Sequence, residues 1–117
     1  MNPEELKDRT KEFALAVLRF VNSVQRGRTE DILTKQLAKA ATSVGANYRA
    51  ACRARSRADF VPKITIVEEE ADETQYWLEL LLEQIPIRAG EITGLIEEAK
   101  ELTAIFTASG KTAKRKT

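Results

Sequence analysis

Apolar residues recur at three- and four-residue steps along four stretches of this chain, and each stretch predicts an amphipathic helix. The first covers residues 4–25, with Leu6, Phe13, Val17, Phe20, Val21 and Val24 on one face. Gly27 is the expected terminator, through the left-handed conformation glycine tolerates after a helix, and Thr29, Glu30 and Asp31 offer a cap and an acidic first turn to the next helix. The second stretch carries Ile32, Leu33, Leu37, Ala40, Val44, Tyr48 and Ala51, and its final turns hold Arg49, Arg53 and Arg55, which suit the negative end of a helix dipole. Ser56 reads as the cap of the third helix, with Asp59 three residues on as a short capping box. Its seam of Phe60, Ile64, Val67, Ala71, Leu78, Leu81 and Ile85 follows alternating steps of four and three, with Thr74 in the one intervening position. Pro62 falls in the first two turns, where a lost hydrogen bond predicts a local irregularity, and Pro86 stops the helix. The fourth stretch, residues 90–108, carries Ile92, Leu95, Ile96, Ala99, Leu102, Ile105 and Phe106.

No strand-like alternation competes with this pattern. Short connections between amphipathic helices favour antiparallel neighbours, so the expected fold is all-α, an up-down-up-down four-helix bundle over residues 1–108. Residues 109–117, with Gly110 and the basic run that follows it, offer no apolar anchor and are expected to form a disordered tail.

At 117 residues the chain has the size of one domain with a core of its own. Nineteen basic and eighteen acidic residues nearly cancel, so no global field drives it to nucleic acid or an anionic membrane, and any such binding must use local patches. One cysteine, Cys52, and no histidine exclude an internal disulfide and leave no start for a zinc site. The acidic Met1-Asn2-Pro3-Glu4-Glu5 start lacks the order of a signal peptide, and no apolar run approaches the ~20 residues of a membrane span. A soluble, cytoplasmic protein without membrane contact is expected.

The acids Glu68, Glu69, Glu70, Asp72 and Glu73 concentrate on one helix, and four-helix bundles can house dinuclear iron. Such sites need Glu-x-x-His pairs, which a chain without histidine cannot supply, and histidine-dependent triads fail for the same reason. Neither phosphate-binding glycine motif occurs. No catalytic residue, metal, cofactor or small-molecule substrate is expected, and the acids read as a solvated face. Cys52, among Arg49, Arg53 and Arg55, reads as a small packed thiol.

Two features exceed what a monomeric bundle needs. Ile66, Glu70, Glu73, Trp77, Leu80 and Gln84 form a second stripe on the third helix, roughly 100° from its core seam at ~100° per residue. Ile66, Trp77 and Leu80 on an outward face mark an oligomer interface; the alternative is a wide apolar arc that only fills the core. The second feature is the small, polar middle of the second helix, residues 38–47, in which Gly45 costs helix stability that close approach of a neighbouring helix would offset. Ser43 and Asn47, one turn apart, are expected to offer hydrogen bonds to Glu70 or Glu73, forming a polar packing cluster that fixes register; otherwise they point at water.

Thr42-Ser43-Val44-Gly45-Ala46-Asn47, then Ser56, Phe60 and Lys63, then Glu68 through Thr74 and Tyr76-Trp77-Leu78, resemble the signature of the four helix bundle protein family, also called the 23S ribosomal RNA intervening sequence protein family. Phe13-Ala14 and Glu101-Leu102 through Phe106 extend the resemblance over nearly the whole chain, while Pro62 departs from it. The resemblance implies a bacterial protein with a left-handed up-down bundle, a ring-like homopentamer and no established enzymatic activity. Some members are encoded within insertions in bacterial ribosomal RNA genes, and a related group of basic accessory proteins serves retroelement reverse transcriptases.

The expected topology gathers the start of the first helix, the junction of the second and third, and the tail at one end. Lys7, Arg9, Lys11, Arg49, Arg53, Arg55, Arg57, Lys63, Lys111, Lys114, Arg115 and Lys116 meet there, opposed by Glu4, Glu5, Asp8, Glu12 and Asp59. Of these, Arg49, Arg53, Arg55, Arg57, Lys114, Arg115 and Lys116 are the candidate contacts to nucleic acid, against the alternative of ordinary solvated charge. Two functions follow: a homo-oligomeric scaffold that presents a surface to a protein partner, or an accessory ring that engages structured RNA or a nucleoprotein through its basic end.

Overall fold

In the computed structural model, which describes residues 1–115, the Asn2 side chain opens the first helix by accepting the Glu5 N–H at 2.8 Å, and Pro3 stands at a first-turn position where no donor is needed. Helix α1 runs Pro3–Ser23, α2 Arg28–Cys52, α3 Arg57–Gln84 and α4 Ala89–Arg115, with a single 3-10 turn at Pro86–Arg88 before α4. Four helices joined by short connections lie in a bundle 47 Å long. Helix α3 packs broadly against both α2 and α4, α1 packs on α2, and α1 meets α4 least.

Gly27 differs from its expected role. Its φ of −178° is extended, it precedes α2 as the N-cap, and its carbonyl accepts the Asp31 N–H at 2.8 Å. A Cβ there would meet the tip of the flexible Glu30 side chain, and the extended backbone shows that the position does not turn the chain left-handed. Asp31 accepts a two-point bond from Arg26, which holds its carboxyl below the usual range. The Ser56 cap stands as read: its hydroxyl accepts the Asp59 N–H, and Asp59 reaches back to the Arg55 N–H. Pro62 does not delay α3, because it sits on the exposed side of a helix already begun at Arg57.

The largest correction concerns the C-terminal residues. Helix α4 continues through Arg115, so residues 109–115 belong to the bundle. Gly110 and Ala113 are buried, and a Cβ on Gly110 would stand 3.7 Å from Ile64 Cγ2. Antiparallel packing carries the last turns of α4 past the first turns of α3, where small residues replace the large apolar anchors a free-standing helix would show. Lys114 and Arg115 suit the dipole at that end. Lys116 and Thr117 lie outside the described residues.

The core follows the predicted seams, except that Ile32, expected on the apolar face of α2, is exposed near the start of that helix. Val17, Leu37, Val44, Ile64, Val67, Leu78, Leu81, Ile92, Leu102 and Phe106 are fully buried, and the Phe106 ring lies 5.4 Å from that of Tyr48. Thr74, in the α3 seam, is equally buried and satisfies its hydroxyl by donating to the Glu70 carbonyl at 2.7 Å. Gly45 does admit a neighbouring helix, and that helix is α1: a Cβ there would meet Thr10 Oγ1 at 3.3 Å.

Candidate functional site

The outer flank of α3 turns toward α2. Lys39 of α2 acts on the Glu70 carboxylate, and Ile32 lies on the same face of α2 two turns before Lys39, as Trp77 lies two turns after Glu70 on α3. Ile66 and Ile32 are exposed, at 43% and 58%, while Trp77 and Leu80 are half-buried and pack against the core. The three expected interface residues therefore divide: Ile66 is a surface residue, and Trp77 and Leu80 widen the core from its edge. Trp77 Nε1 is buried and meets no acceptor among the described residues, and its ring stands edge-on to the exposed Tyr76 at 5.2 Å.

The polar packing cluster is assembled differently from expectation. Asn47 donates to the Ser43 carbonyl at 2.8 Å, along its own helix, and no described hydrogen bond joins Ser43 or Asn47 to Glu70 or Glu73. Ser43, Asn47 and Glu70 are half-buried and Glu73 is exposed. Burial, then repulsion and a shared hydrogen bond from Glu73, push the Glu70 carboxyl above its usual range, with Lys39 opposing. The Ser43 carbonyl, one turn back on the same helix, takes the Asn47 amide proton with no second helix needed, and spacing alone did not reveal this competing acceptor.

At the other candidate site, Arg49, Arg53, Arg55, Arg57, Lys114 and Arg115 are all exposed at one end of the bundle, and Lys116 lies outside the described residues. Three cations counted toward that end are engaged internally. Lys7 bonds Glu4, Lys63 bonds Asp59, and Arg9 turns away to α4, where it grips Glu98 at 2.7 and 2.6 Å and Glu101 at 3.1 Å. Sequence reading missed this bridge because its partners lie some ninety positions apart in the chain. At the opposite end, Arg88 donates to Ser23 Oγ at 2.7 Å and lies 5.0 Å over the Phe20 ring, giving the α1–α4 seam a second tie.

Between the α2–α3 junction and the last turns of α4 lies an open cleft of about 970 Å³, also unanticipated. Tyr48, Phe60 and Ile105 supply much of its apolar lining, Arg55 and Arg57 border it, and no acidic side chain lines it. Burial, followed by the neighbouring Cys52 thiol, pushes the Tyr48 phenol's pKa up. Among the described residues no cluster of acid and cysteine side chains has the geometry to hold a metal, and no helix is long and apolar enough to cross a membrane.

A family model described as 23S rRNA-intervening sequence protein matches residues 5–108. A crystal structure of a protein of unknown function from the S23 ribosomal protein family of Bacteroides thetaiotaomicron is similar with a TM-score of 0.85 and 33% identity, covering 95% of this chain and 99% of that one. A search of curated proteins finds no match. With the match extending over all but the chain's outermost residues and the same helical fold in a solved relative, the chain belongs to the 23S rRNA intervening sequence protein family.

Proposed function

We propose that this protein is a non-enzymatic, cytoplasmic, homo-oligomeric scaffold whose subunits meet along the α2–α3 flank as a ring-like homopentamer. The observation that carries the reading is the exposure of Ile66, Ile32 and Tyr76 along the flank that also holds the half-buried Trp77. Exposed large apolar side chains on a face that holds a tryptophan are the usual material of a subunit contact, and the Glu70, Glu73 and Lys39 charges between Ile66 and Trp77 give it polarity and register. A five-fold ring needs a heterologous contact that closes. The absence of histidine supports a role without histidine-dependent triads, Glu-x-x-His di-iron sites or a zinc site.

Ile66→Glu is the sharper test than any change at Trp77, because Ile66 is outside the core and its loss leaves the fold intact. Light scattering should give about five times the chain mass for the parent and the single-chain mass for the variant. A parent protein that is monomeric at micromolar concentration overturns the reading.

Exposed Arg49, Arg53, Arg55 and Arg115 support a second reading, an accessory ring that binds structured RNA or a nucleoprotein through its basic end. Reversing Arg53 and Arg55 to Glu should then weaken RNA binding and flatten its salt dependence; affinity indifferent to both removes this reading and leaves the scaffold in place.

A further inference from the structure

The cleft at the basic end is built unlike the rest of the surface. Its volume, about 970 Å³, is that of a small-molecule site, where pockets run from about 300 to 1,000 Å³. Tyr48, Phe60 and Ile105 give it an apolar wall, and its charged lining residues are Arg55 and Arg57, both of one sign. At the same end of the bundle the Glu4 carboxylate bonds Lys7, and that of Asp59 bonds Lys63 and the Arg55 N–H. A ligand that fits must offer apolar surface to the wall and negative charge to the rim.

We infer that this cleft binds a single-chain amphiphilic carboxylate, its alkyl chain against Phe60, Ile105 and Tyr48 and its carboxylate at Arg55. An alkyl chain is favoured over a peptide because it brings no polar groups that need partners. Of the hydroxyls lining it, that of Ser109 donates to the Ile105 carbonyl at 3.0 Å, that of Ser56 accepts the Asp59 N–H at 3.1 Å, and Tyr48 is buried, so Thr112 offers the most accessible one. A peptide backbone laid in the cleft would leave most of its N–H and C=O groups desolvated without partners, at a cost an alkyl chain avoids. Charge on one end and apolar area along the rest also set the orientation, since the reverse placement buries a carboxylate among apolar side chains.

Calorimetric titration of the full-length protein with sodium dodecanoate, below its micelle concentration, tests this. One dodecanoate per chain should bind, with dodecyltrimethylammonium weaker by at least about tenfold because only the charge sign differs. Arg55→Glu should weaken dodecanoate by about tenfold, and Ala108→Phe, which fills the cleft from an exposed position, should abolish binding; circular dichroism melting verifies that both variants fold. Absence of saturable binding overturns the inference, as does equal binding of both amphiphiles or indifference to both variants. Binding of an acidic peptide with none of dodecanoate would overturn it in favour of a protein partner. Ile66→Glu provides the separating control: it dissolves the proposed assembly without touching the cleft, so a failure of one idea is read apart from the other.

Discussion

Helix α3 is held by a row of fully buried side chains, Ile64, Val67, Ala71, Thr74, Leu78 and Leu81, whereas α1 is tied toward α4 through charged groups, Arg9 to Glu98 and Glu101, and Arg88 of the turn before α4 to Ser23 and Phe20. The two seams divide the tasks of the bundle. Apolar burial drives α2, α3 and α4 together in proportion to the area removed from water. The polar ties contribute less energy and more geometry, because a two-point guanidinium bond fixes distance and orientation.

Removing Phe106 should produce the largest effect. Phe106→Ala empties a fully buried position against Tyr48, and chemical denaturation should show a loss of about 3–5 kcal/mol. A loss no greater than that of a polar tie would mean the seams are energetically alike and would break the comparison.

Gly45→Val probes the α1–α2 seam. Its Cβ would already stand 3.3 Å from Thr10 Oγ1, and Thr10 is buried with its hydroxyl committed to the Lys7 carbonyl, so branched bulk has no room. The expected loss is about 1–3 kcal/mol by the same denaturation measurement. Gly45→Ala should cost far less, because the gain in helix propensity, about 1 kcal/mol, offsets the crowding. Equal losses from the two would place the strain elsewhere than at Thr10.

Arg9→Ala should follow, at about 1 kcal/mol, since the side chains of Arg9 and Glu98 are 24% and 29% exposed and solvent screens part of their attraction. Its distinguishing mark is salt. The difference from the parent should shrink between low and high ionic strength, while that of Phe106→Ala should not.

The same division explains what could be read before the structure. Periodicity found the apolar seams because Leu78 and Leu81, or Ile92 and Ile96, declare themselves within one turn of their own helix. It even placed Thr74 in the α3 seam, where the hydroxyl is hidden by bonding its own backbone. Gly45 announced a close approach without saying which helix makes it. Arg9 with Glu98, by contrast, carries no local signal, and the same holds for the hydrogen bond from Thr107 to Glu68 at 2.6 Å. Residues 109–115 were misread because their anchors are Gly110 and Ala113, whose value lies in being small next to Ile64. The basic end was legible as a list of residues, and the cleft within it was not, since a cavity is a property of how four chain segments meet.

The smallest expected effect tests the exposed rim of the α2–α3 seam. Burial and Glu73 raise the Glu70 pKa above its unfolded value, Glu69 adds to the rise, and Lys39 facing it from α2 opposes it. The native state therefore holds that proton more tightly than the unfolded chain. The contribution is fully present below the unfolded pKa and is lost as pH rises through the folded one, so stability from this group falls across the upper carboxylate range. Glu70→Gln removes the dependence. The variant should equal the parent at the acid edge of that range and exceed it at neutral pH by about a few tenths of a kcal/mol, a size limited by solvent screening. Thermal melts at matched pH values would show it. A variant less stable than the parent at neutral pH would mean that attraction to Lys39 outweighs burial, and the rim of the apolar seam would then be held as α1 is held to α4, by charge.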